Sequence, residues 1–422
     1  MNIAIDARFY GLEHAGLGRY TKNLVEQLAR IDQTNNYTLF ILPAHKDLHI
    51  AHNFRVEVVD APFYSFKEQV LLTKAIGVRR FDLVHFPQFV VPVFNMFTPF
   101  IVTIHDLIKH KYVGADSTTH SGFMYAIKHL AYRFVSWWAV KRSNHILVPT
   151  QFVKDDIVTW FGVKPEKISV TYEGVDSALT SFSQSEQTQN EVLSRFGVSG
   201  EYVIYVGSAY PYKRVDVLVD ALTHLPENIS LVLVGSRNVF YQKIEEIVRV
   251  KGLLHRVHLL GYVPDEELSF LYKHAICFVS ASKEEGFGIP PLEAMGLGCP
   301  VVLSDIAVHK EVCGDGAIYV NASDLRACAQ TIMRIQNDHA FRSHLIANGL
   351  EQVKKYSWNE MAQKTLSMYE SISESPNRKL RGICHSREGG NPDWIPSFHR
   401  NYKLRDDAVS RKELDPKKIE SS

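Results

Sequence analysis

Residues 276–295 read ICFVSASKEEGFGIPPLEAM, and this stretch decides the expected fold and the expected site. The apolar residues 276–279 predict a strand. The proline pair at 290–291 predicts the start of a helix, because a first-turn proline forfeits no intrahelical hydrogen bond. The glycine-rich turn between them exposes backbone N–H groups and a helix N-terminus, which together bind anions. Glu285 and Glu293 on either side add acceptors for hydroxyl groups. A ligand with phosphates and many hydroxyls, such as a nucleotide sugar, fits this pattern.

Length and composition indicate a globular protein of two domains. The chain has 422 residues, with 45% apolar and 22% charged residues and a formal charge of +1. This charge balance argues against a nucleic-acid binder that relies on bulk electrostatics. We find no apolar stretch of spanning length and no signal peptide, and the five cysteines form no CxxC pair. We therefore expect a reduced protein on the cytoplasmic side.

Short apolar runs alternate with helical patterns in two series. The first series contains seven runs between residues 3 and 171, and the second contains six runs between residues 202 and 320. Continuous apolar strands separated by helices indicate parallel sheets that are covered on both faces. Each series has the length of one doubly wound domain. The sequence therefore predicts an α/β protein with two such domains.

Composition suggests where these domains begin and end. We place the first domain at 1–180 and the second at 195–357, with a polar, Ser/Gln-rich linker within 176–199. A last helical pattern, 358–374, closes the folded part, and we expect it to return to the first domain. The segment 376–422 carries 11 Lys/Arg against 7 Asp/Glu and few periodic apolar positions. We predict that this basic tail is disordered.

A glycine-containing turn follows the first strand. That strand ends in Asp-Ala-Arg at 6–8, and Gly-Leu-Gly-Arg follows at 16–19, where a helix is expected to begin near the arginine. Such glycines let a backbone approach a ligand closely, although tight strand-to-helix turns also use glycine for steric reasons alone. Thr21 stands where the third glycine of a dinucleotide fingerprint belongs, which disfavours a nicotinamide enzyme.

Two further candidates follow predicted strands. His105 comes directly after the apolar run 101–104, at the carboxyl end of a strand, where ligands bind in open α/β sheets. A single histidine is often structural, and the chain has 19 of them. Lys213 follows the first strand of the second series and can neutralise a leaving diphosphate. The alternative for Lys213 is a solvated side chain that opens a helix, but its pairing with the run at 285–293 favours a site.

These motifs together resemble glycosyltransferase family 4. The resemblance covers about residues 1–374, and its most specific part is the pair Glu285 and Glu293 with seven residues between them. It implies the GT-B fold, in which two Rossmann-like domains face each other across a cleft. The first domain would lie on the acceptor side, and the second would bind the nucleotide sugar. It also implies a retaining hexosyltransferase that uses a nucleotide-sugar donor.

The resemblance also implies roles for individual residues. Glu285, His105 and Lys213 would be catalytic. The donor-binding residues would be Gly16, Gly18, Arg19, Gly207, Ser208, Arg214, Gly286, Phe287, Gly288, Ile289 and Glu293. Ser208 stands where many members have an arginine, so neutralisation of the diphosphate would rest on Lys213, with Arg214 and Arg19 as candidates to assist.

Donor and acceptor are also expectations from the resemblance. The N-terminal part of the sequence resembles bacterial mannosyltransferases of O-antigen (lipopolysaccharide) and exopolysaccharide synthesis, which implies GDP-mannose as the donor. Enzymes that use UDP-sugars have the same architecture. The acceptor would be a glycan or a lipid-linked glycan. We expect no metal and no other cofactor, because no DxD-like pair stands at a strand end. Two alternatives stay open: another nucleotide-sugar enzyme such as an epimerase, and a binding protein that has lost catalysis.

A helical pattern over 121–142 offers a possible membrane contact. Basic residues lie near its apolar residues, which fall at helical spacing: Phe123, Ile127, Leu130, Phe134 and Trp137. We favour packing of this apolar face on its own domain. The alternative is a peripheral contact with the inner face of the membrane.

Overall fold

The structure is a computed structural model, and it describes residues 1–11, 15–95, 97–112, 122–176, 191 and 193–374. The predicted basic tail at 376–422 lies outside the described residues. So does most of the predicted linker.

The first half of the chain forms a parallel sheet covered by helices. Its strands are β1 Asn2–Asp6, β2 Asn36–Ile41, β3 Phe54–Val58, β4 Leu83–Phe86, β5 Phe100–Thr103, β6 His145–Val148 and β7 Ile168–Val170. Its helices are α1 Ala15–Ile31, α2 Phe66–Val78, α3 Ile108–Lys111, α4 Gly122–Arg142 and α5 Gln151–Phe161. The strand order is β3-β2-β1-β4-β5-β6-β7. Strands β4, β5 and β6 are buried along their whole length, because the sheet is covered on both faces.

The second half forms a second parallel sheet of the same kind. Its strands are β8 Glu201–Val206, β9 Ile229–Val234, β10 Val257–Gly261, β11 Phe278–Ser280, β12 Val301–Ser304 and β13 Ala317–Val320. Its helices are α6 Val215–Leu222, α7 Val239–Val250, α8 Asp265–His274, α9 Ile289–Gly296, α10 Ala307–Cys313, α11 Leu325–Asn337 and α12 His339–Val353. The strand order is β10-β9-β8-β11-β12-β13. The two sheets confirm the predicted α/β architecture, and we call each sheet with its helices a lobe.

The last helix, α13 Trp358–Glu374, packs on α1 of the first lobe. Trp358, Met361 and Tyr369 on this helix are buried in the same core as strand β1. The hydroxyl of Tyr369 lies 2.6 Å from Nδ1 of His85 on β4. The chain therefore returns to the first lobe after it has completed the second.

In each sheet, the strand order reverses direction at one place, and the predicted site residues follow strands near it. The reversal lies between β1 and β4 in the first sheet and between β8 and β11 in the second. Ligands of open α/β sheets bind outside the carboxyl ends of strands at such points. His105 follows β5, Gly207 follows β8, and Glu285 follows β11.

Backbone hydrogen bonds join the lobes at the start of α5. The N–H groups of Gln151 and Phe152 donate to the Glu311 carboxylate of the second lobe, at 2.6 and 2.9 Å. These donors have no intrahelical partner, so the carboxylate satisfies them and also faces the positive end of the helix. The Thr150 hydroxyl donates to the carbonyl oxygen of Gly286, at 3.0 Å. Helix α5 therefore holds the glycine-rich turn of the second lobe against the first.

Helix α4 differs from the favoured interpretation of its sequence. It packs on the first lobe through residues near its end, such as the buried Ala139 and Val140. The apolar residues predicted to pack are instead 47–71% exposed: Ile127, Leu130, Phe134 and Trp137. The side chain of Phe123 lies outside the described part. Packing of this face on its own domain is therefore wrong for these four residues. Among the helices that the structure describes, none has the length and apolar composition needed to span a bilayer.

Candidate active site

A cleft of about 540 Å³ lies between the lobes. All the predicted site residues line it except Gly18 and Arg214. The first lobe contributes Gly16, Arg19 and His105. The second lobe contributes Gly207, Ser208, Lys213, Glu285, Gly286, Phe287, Gly288, Ile289 and Glu293. The structure therefore brings nearly the whole predicted set to one place.

Lys213 and Glu285 form a close ion pair in this cleft. The Lys213 ammonium lies 2.6 Å from each carboxylate oxygen of Glu285, and the Ser282 hydroxyl donates to the same carboxylate at 2.7 Å. Burial opposes ionisation of Glu285, but the charge of Lys213 and these hydrogen bonds outweigh it and lower its pKa. Glu285 is therefore an ionised acceptor with a fixed orientation.

The turn after Glu285 presents backbone donors at the start of α9. Gly288 caps this helix with φ +93°, a left-handed conformation that glycine adopts without strain. The first helical residues, Ile289 and Pro290, line the cleft. Pro290 and Pro291 have no N–H group, so the donors that this turn can offer to an anion belong to the residues before them, such as Gly288 and Ile289.

The backbones of the two lobes lie close together at Gly286. A Cβ atom added to Gly286 would lie 2.1 Å from the carbonyl oxygen of His105 and 3.3 Å from Cβ of Asp106. Only a residue without a side chain lets the His105 loop approach the turn this closely. Gly286 therefore sets the spacing between the catalytic candidates of the two lobes.

Glu293 lies in α9 and pairs with an arginine from the first lobe. Arg19 Nη1 is 3.4 Å from the Glu293 carboxylate, and Nη2 is 2.9 Å from that of Asp265. The Tyr272 hydroxyl also donates to Glu293, at 3.3 Å. Burial raises the pKa of Glu293, and the charge of Arg19 offsets part of that rise. Arg19 thus joins the start of α1 to the second lobe.

Both ring nitrogens of His105 have hydrogen-bond partners within the protein. Nε2 faces the carbonyl oxygen of Pro87 at 3.1 Å, and Nδ1 faces the Glu173 carboxylate at 3.0 Å. A carbonyl oxygen only accepts, so Nε2 carries a proton, and the carboxylate favours a second proton on Nδ1. Burial lowers the pKa of His105, but the hydrogen bond to Glu173 and its charge more than reverse this, so the pKa is raised. Glu173 therefore favours the protonated form of His105.

The turn after β8 shows which of the predicted basic residues reaches the cleft. Gly207 and Ser208 line the cleft, and two tyrosine hydroxyls donate to their carbonyl oxygens, from Tyr241 at 2.8 Å and from Tyr205 at 2.6 Å. Arg214 lies outside the cleft, with its guanidinium 3.4 Å from the Ser323 hydroxyl. The proposed help of Arg214 to the diphosphate is not seen in this arrangement.

The first glycine motif also differs locally from the prediction. Helix α1 begins at Ala15, so Gly16 and Gly18 belong to its first turn rather than to a loop that ends near Arg19. Tyr20, Leu24 and Leu28 on this helix are buried in the core. This packing outweighs the low helix propensity of the two glycines.

Several residues of the site were not identified from the sequence. Glu173 fixes His105, and Asp265 binds Arg19. Lys111 of α3 bonds Asp156 of its own lobe and also Glu284 of the second lobe. The signal for Glu173 was its position two residues after residue 171, where the last apolar run of the first series ends. In the described ranges, no group of three or more His, Cys, Asp or Glu side chains could hold a metal ion.

Comparison with known proteins agrees with this geometry. The family model "Glycosyltransferase Family 4" matches residues 14–179, and the model "Glycosyl transferases group 1" matches residues 172–352. The O-antigen chain mannosyltransferase RfbU of Salmonella typhimurium is 30% identical over 262 residues, which are 62% of this chain and 67% of RfbU. The chain belongs to the GT4-type glycosyltransferases.

Other relatives of this glycosyltransferase extend the comparison. The O-antigen chain mannosyltransferase B of Escherichia coli is 32% identical over 236 residues, which are 54% of this chain but only 60% of that relative. The crystal structure of HepE of Anabaena, in complex with UDP and glucose, matches with a TM-score of 0.69 at 20% identity. This match covers 88% of the glycosyltransferase and 100% of HepE. The likeness confirms the GT-B fold.

Proposed function

We propose that this glycosyltransferase moves a hexose, mannose in particular, from a nucleotide-diphosphate sugar to a glycan or lipid-linked glycan, with retention of the anomeric configuration. The observation that carries the proposal is the Lys213–Glu285 pair beside the N-terminus of α9, in one cleft with His105. This arrangement offers a cation and backbone donors for a diphosphate, and an ionised carboxylate for sugar hydroxyls.

The names of the relatives favour mannose as the transferred sugar. RfbU and the Escherichia coli protein are both named O-antigen chain mannosyltransferases. HepE was solved with UDP-glucose, which supports a nucleotide sugar in kind. We therefore propose GDP-mannose as donor and a cell-surface polysaccharide as product.

The leaving diphosphate is the group that this site stabilises best. A lysine ammonium has three donors, and the two bonds to Glu285 leave one that can reach a phosphate oxygen. The N–H groups of Gly288 and Ile289, just before the proline pair, add further donors that are in place before charge develops. The loss of one such donor typically costs about 3 kcal/mol of barrier.

A front-face route to retention fits these contacts. The carboxylate of Glu285 is occupied by Lys213 and Ser282, which suits an acceptor that orients hydroxyls better than a nucleophile. In the proposed route, the bond between the anomeric carbon and the phosphate oxygen breaks. The acceptor oxygen then attacks the same face of the sugar and gives its proton to the leaving phosphate. No metal takes part in this proposal.

The main test compares Glu285→Gln with a matched surface variant. Glu285→Gln should fold normally and lose at least about a hundredfold in kcat, because a neutral amide no longer pairs with Lys213. Glu166→Gln, at an exposed position of the first lobe, should keep full activity. Both are assayed with GDP-mannose and UDP-glucose, with and without a panel of octyl glycosides as acceptors. Isomerised free sugar would support an epimerase instead, and nucleotide binding without turnover would support a binding protein.

A peripheral membrane contact is proposed for helix α4. Its exposed Ile127, Leu130, Phe134 and Trp137 suit the interface of a bilayer, where aromatic and aliphatic side chains insert beside basic residues. Flotation with anionic liposomes tests this contact, with Trp137→Ser as the variant expected to bind less. Equal flotation of both proteins, or of neither, would contradict it.

A further inference from the structure

Tyr64 has a backbone conformation that tyrosine rarely adopts. In the described part of the chain, only Tyr64 (φ +59°) and Arg214 (φ +52°) are non-glycine residues with a left-handed backbone. A bulky residue in this conformation is strained, and it persists only where the surroundings enforce it. Such strain clusters at ligand sites, so the surroundings and the position of Tyr64 are informative.

A buried network of charges enforces this conformation. The Tyr64 N–H donates to Oε2 of Glu68 at 2.7 Å, and Oε1 of Glu68 accepts from Arg8 at 2.7 Å. Arg8 also makes two bonds to Asp6, at 2.7 and 2.8 Å. All three charged side chains are at most 1% exposed. The Asp-Ala-Arg motif at the end of β1 therefore fixes the Glu68 carboxylate, which in turn holds the Tyr64 backbone.

The neighbouring contacts fix the same loop from other directions. Phe63 stacks on Phe9 with ring centroids 3.9 Å apart, and Ser65 caps α2 by accepting from the Glu68 N–H. The Lys109 ammonium lies 4.6 Å from the centroid of the Tyr64 ring. Backbone, flanking residues and ring are thus all restrained.

This restrained ring faces the cleft. Tyr64 is 56% exposed and lines the cleft together with Gln88, Phe89, Asp106 and Lys109, all from the first lobe. The Lys213–Glu285 pair and the helix N-terminus, which suit the donor, belong to the second lobe. The first-lobe wall instead offers two aromatic rings and a few hydrogen-bonding side chains, which suits a sugar with one apolar C–H face and several hydroxyls.

We propose that Tyr64 selects the acceptor, by stacking its ring on the C–H face of the acceptor's terminal sugar. The inference rests on the proposed transfer reaction and names the side chain that contacts the acceptor's terminal sugar. The Asp6–Arg8–Glu68 network acts through Tyr64 as a positioning device. The residues proposed for the donor diphosphate lie on the second lobe, so we expect loss of the Tyr64 ring to affect acceptor binding and not donor binding.

Tyr64→Gly is the informative variant, because glycine adopts the left-handed backbone without strain and the loop keeps its course. Tyr64→Phe keeps the ring. Phe66→Ala removes an aromatic side chain that is 75% exposed on α2 and does not line the cleft. Octyl mannoside, octyl galactoside and octyl N-acetylglucosaminide serve as acceptor probes, and ligand-observed NMR measures their dissociation constants without turnover. GDP-mannose binding is measured in parallel by calorimetry, and thermal melts confirm that each variant folds.

We expect Tyr64→Gly to weaken binding of the preferred glycoside on the order of tenfold, with the Kd for GDP-mannose unchanged. For Tyr64→Phe and Phe66→Ala, the Kd for the glycoside should stay within about twofold of the wild type, because both variants keep an aromatic ring at position 64. Equal glycoside binding by Tyr64→Gly and the wild type would overturn the proposal, and so would the absence of glycoside binding to the wild type. Weaker donor binding in Tyr64→Gly would assign the ring to the donor instead. Failure of the wild type to bind or use any nucleotide sugar would refute the proposed function, which is a separate result.

Discussion

Gly286→Ala tests whether the close approach of the two lobes is needed for catalysis. The new Cβ would lie 2.1 Å from the carbonyl oxygen of His105, whereas ordinary contact begins at 3.4 Å. The two groups must therefore separate by at least 1.3 Å (3.4 minus 2.1). The opposing atom belongs to the backbone, so no side-chain rotation relieves the clash. Gly286 itself has no left-handed backbone, so alanine does not strain the turn.

The expected loss follows from this displacement. A misplacement of about 1 Å between catalytic groups costs roughly a hundredfold in rate, or about 2.7 kcal/mol of barrier. We expect kcat to fall by about that factor. Donor affinity should change less, because the second lobe supplies most of the predicted donor-binding residues. Steady-state kinetics with GDP-mannose and calorimetric donor binding separate the two effects.

Gly77→Ala is the matched control for this prediction. Gly77 lies in α2, and a Cβ atom added there meets nothing within 4 Å. This variant should retain full activity and gain slightly in stability, since alanine is the better helix former. If Gly286→Ala kept kcat within threefold of the wild type, the spacing between His105 and the turn would not matter for catalysis.

Three further predictions concern charged contacts. Lys213→Met should lower kcat by about 10²–10³-fold. It should also raise the pKa of Glu285, because the buried carboxylate loses its counter-charge. An unshifted pH–rate profile would argue against the pairing. Glu311→Gln should lower the free energy of unfolding by about 1 kcal/mol in urea titrations, because it weakens the cap of α5; an unchanged midpoint would contradict this. Glu173→Gln should flatten the pH dependence of stability above pH 6.5. In the wild type, the stabilisation from protonated His105 is complete below its unfolded pKa of 6.5 and is lost as the pH rises through its raised folded pKa. Equal slopes for both proteins in unfolding titrations from pH 5 to 9 would refute the link.

The strands were predictable because they are buried on both faces. An apolar run such as 301–303 identifies β12 directly, because polar residues are costly in a strand covered by helices on both sides. The strand boundaries differ from the predicted ones by one or two residues. The run 276–279, for example, corresponds to a strand at Phe278–Ser280. Strand β4 continues through His85, which the apolar pattern did not include. Burial lowers the pKa of His85 to about 3, and its neutral ring is bonded to Tyr369 of α13.

The site was predictable where position along the chain determines position in space. The carboxyl ends of parallel strands share one edge of a sheet, so residues that follow β5, β8 and β11 had to lie near the edges where ligands bind. The direction of a side chain is set by distant partners instead. Arg214 adjoins Lys213 in sequence, but it lies against Ser323 rather than in the cleft. The exposure of Trp137 on α4 likewise depends on packing that no local pattern reports.

The distribution of groups between the lobes implies that neither lobe carries a complete site. The second lobe holds the Lys213–Glu285 pair, Glu293 and the start of α9, while the first lobe supplies Arg19, His105 and the restrained Tyr64. Contacts between the lobes then fix how these groups face each other: Arg19 reaches Glu293, and the His105 carbonyl packs on Gly286. In the proposed reaction, donor and acceptor contacts are therefore aligned only when the lobes meet. Because the alignment depends on backbone contact at a glycine, the spacing of the two lobes is as much a part of the chemistry as the charged side chains.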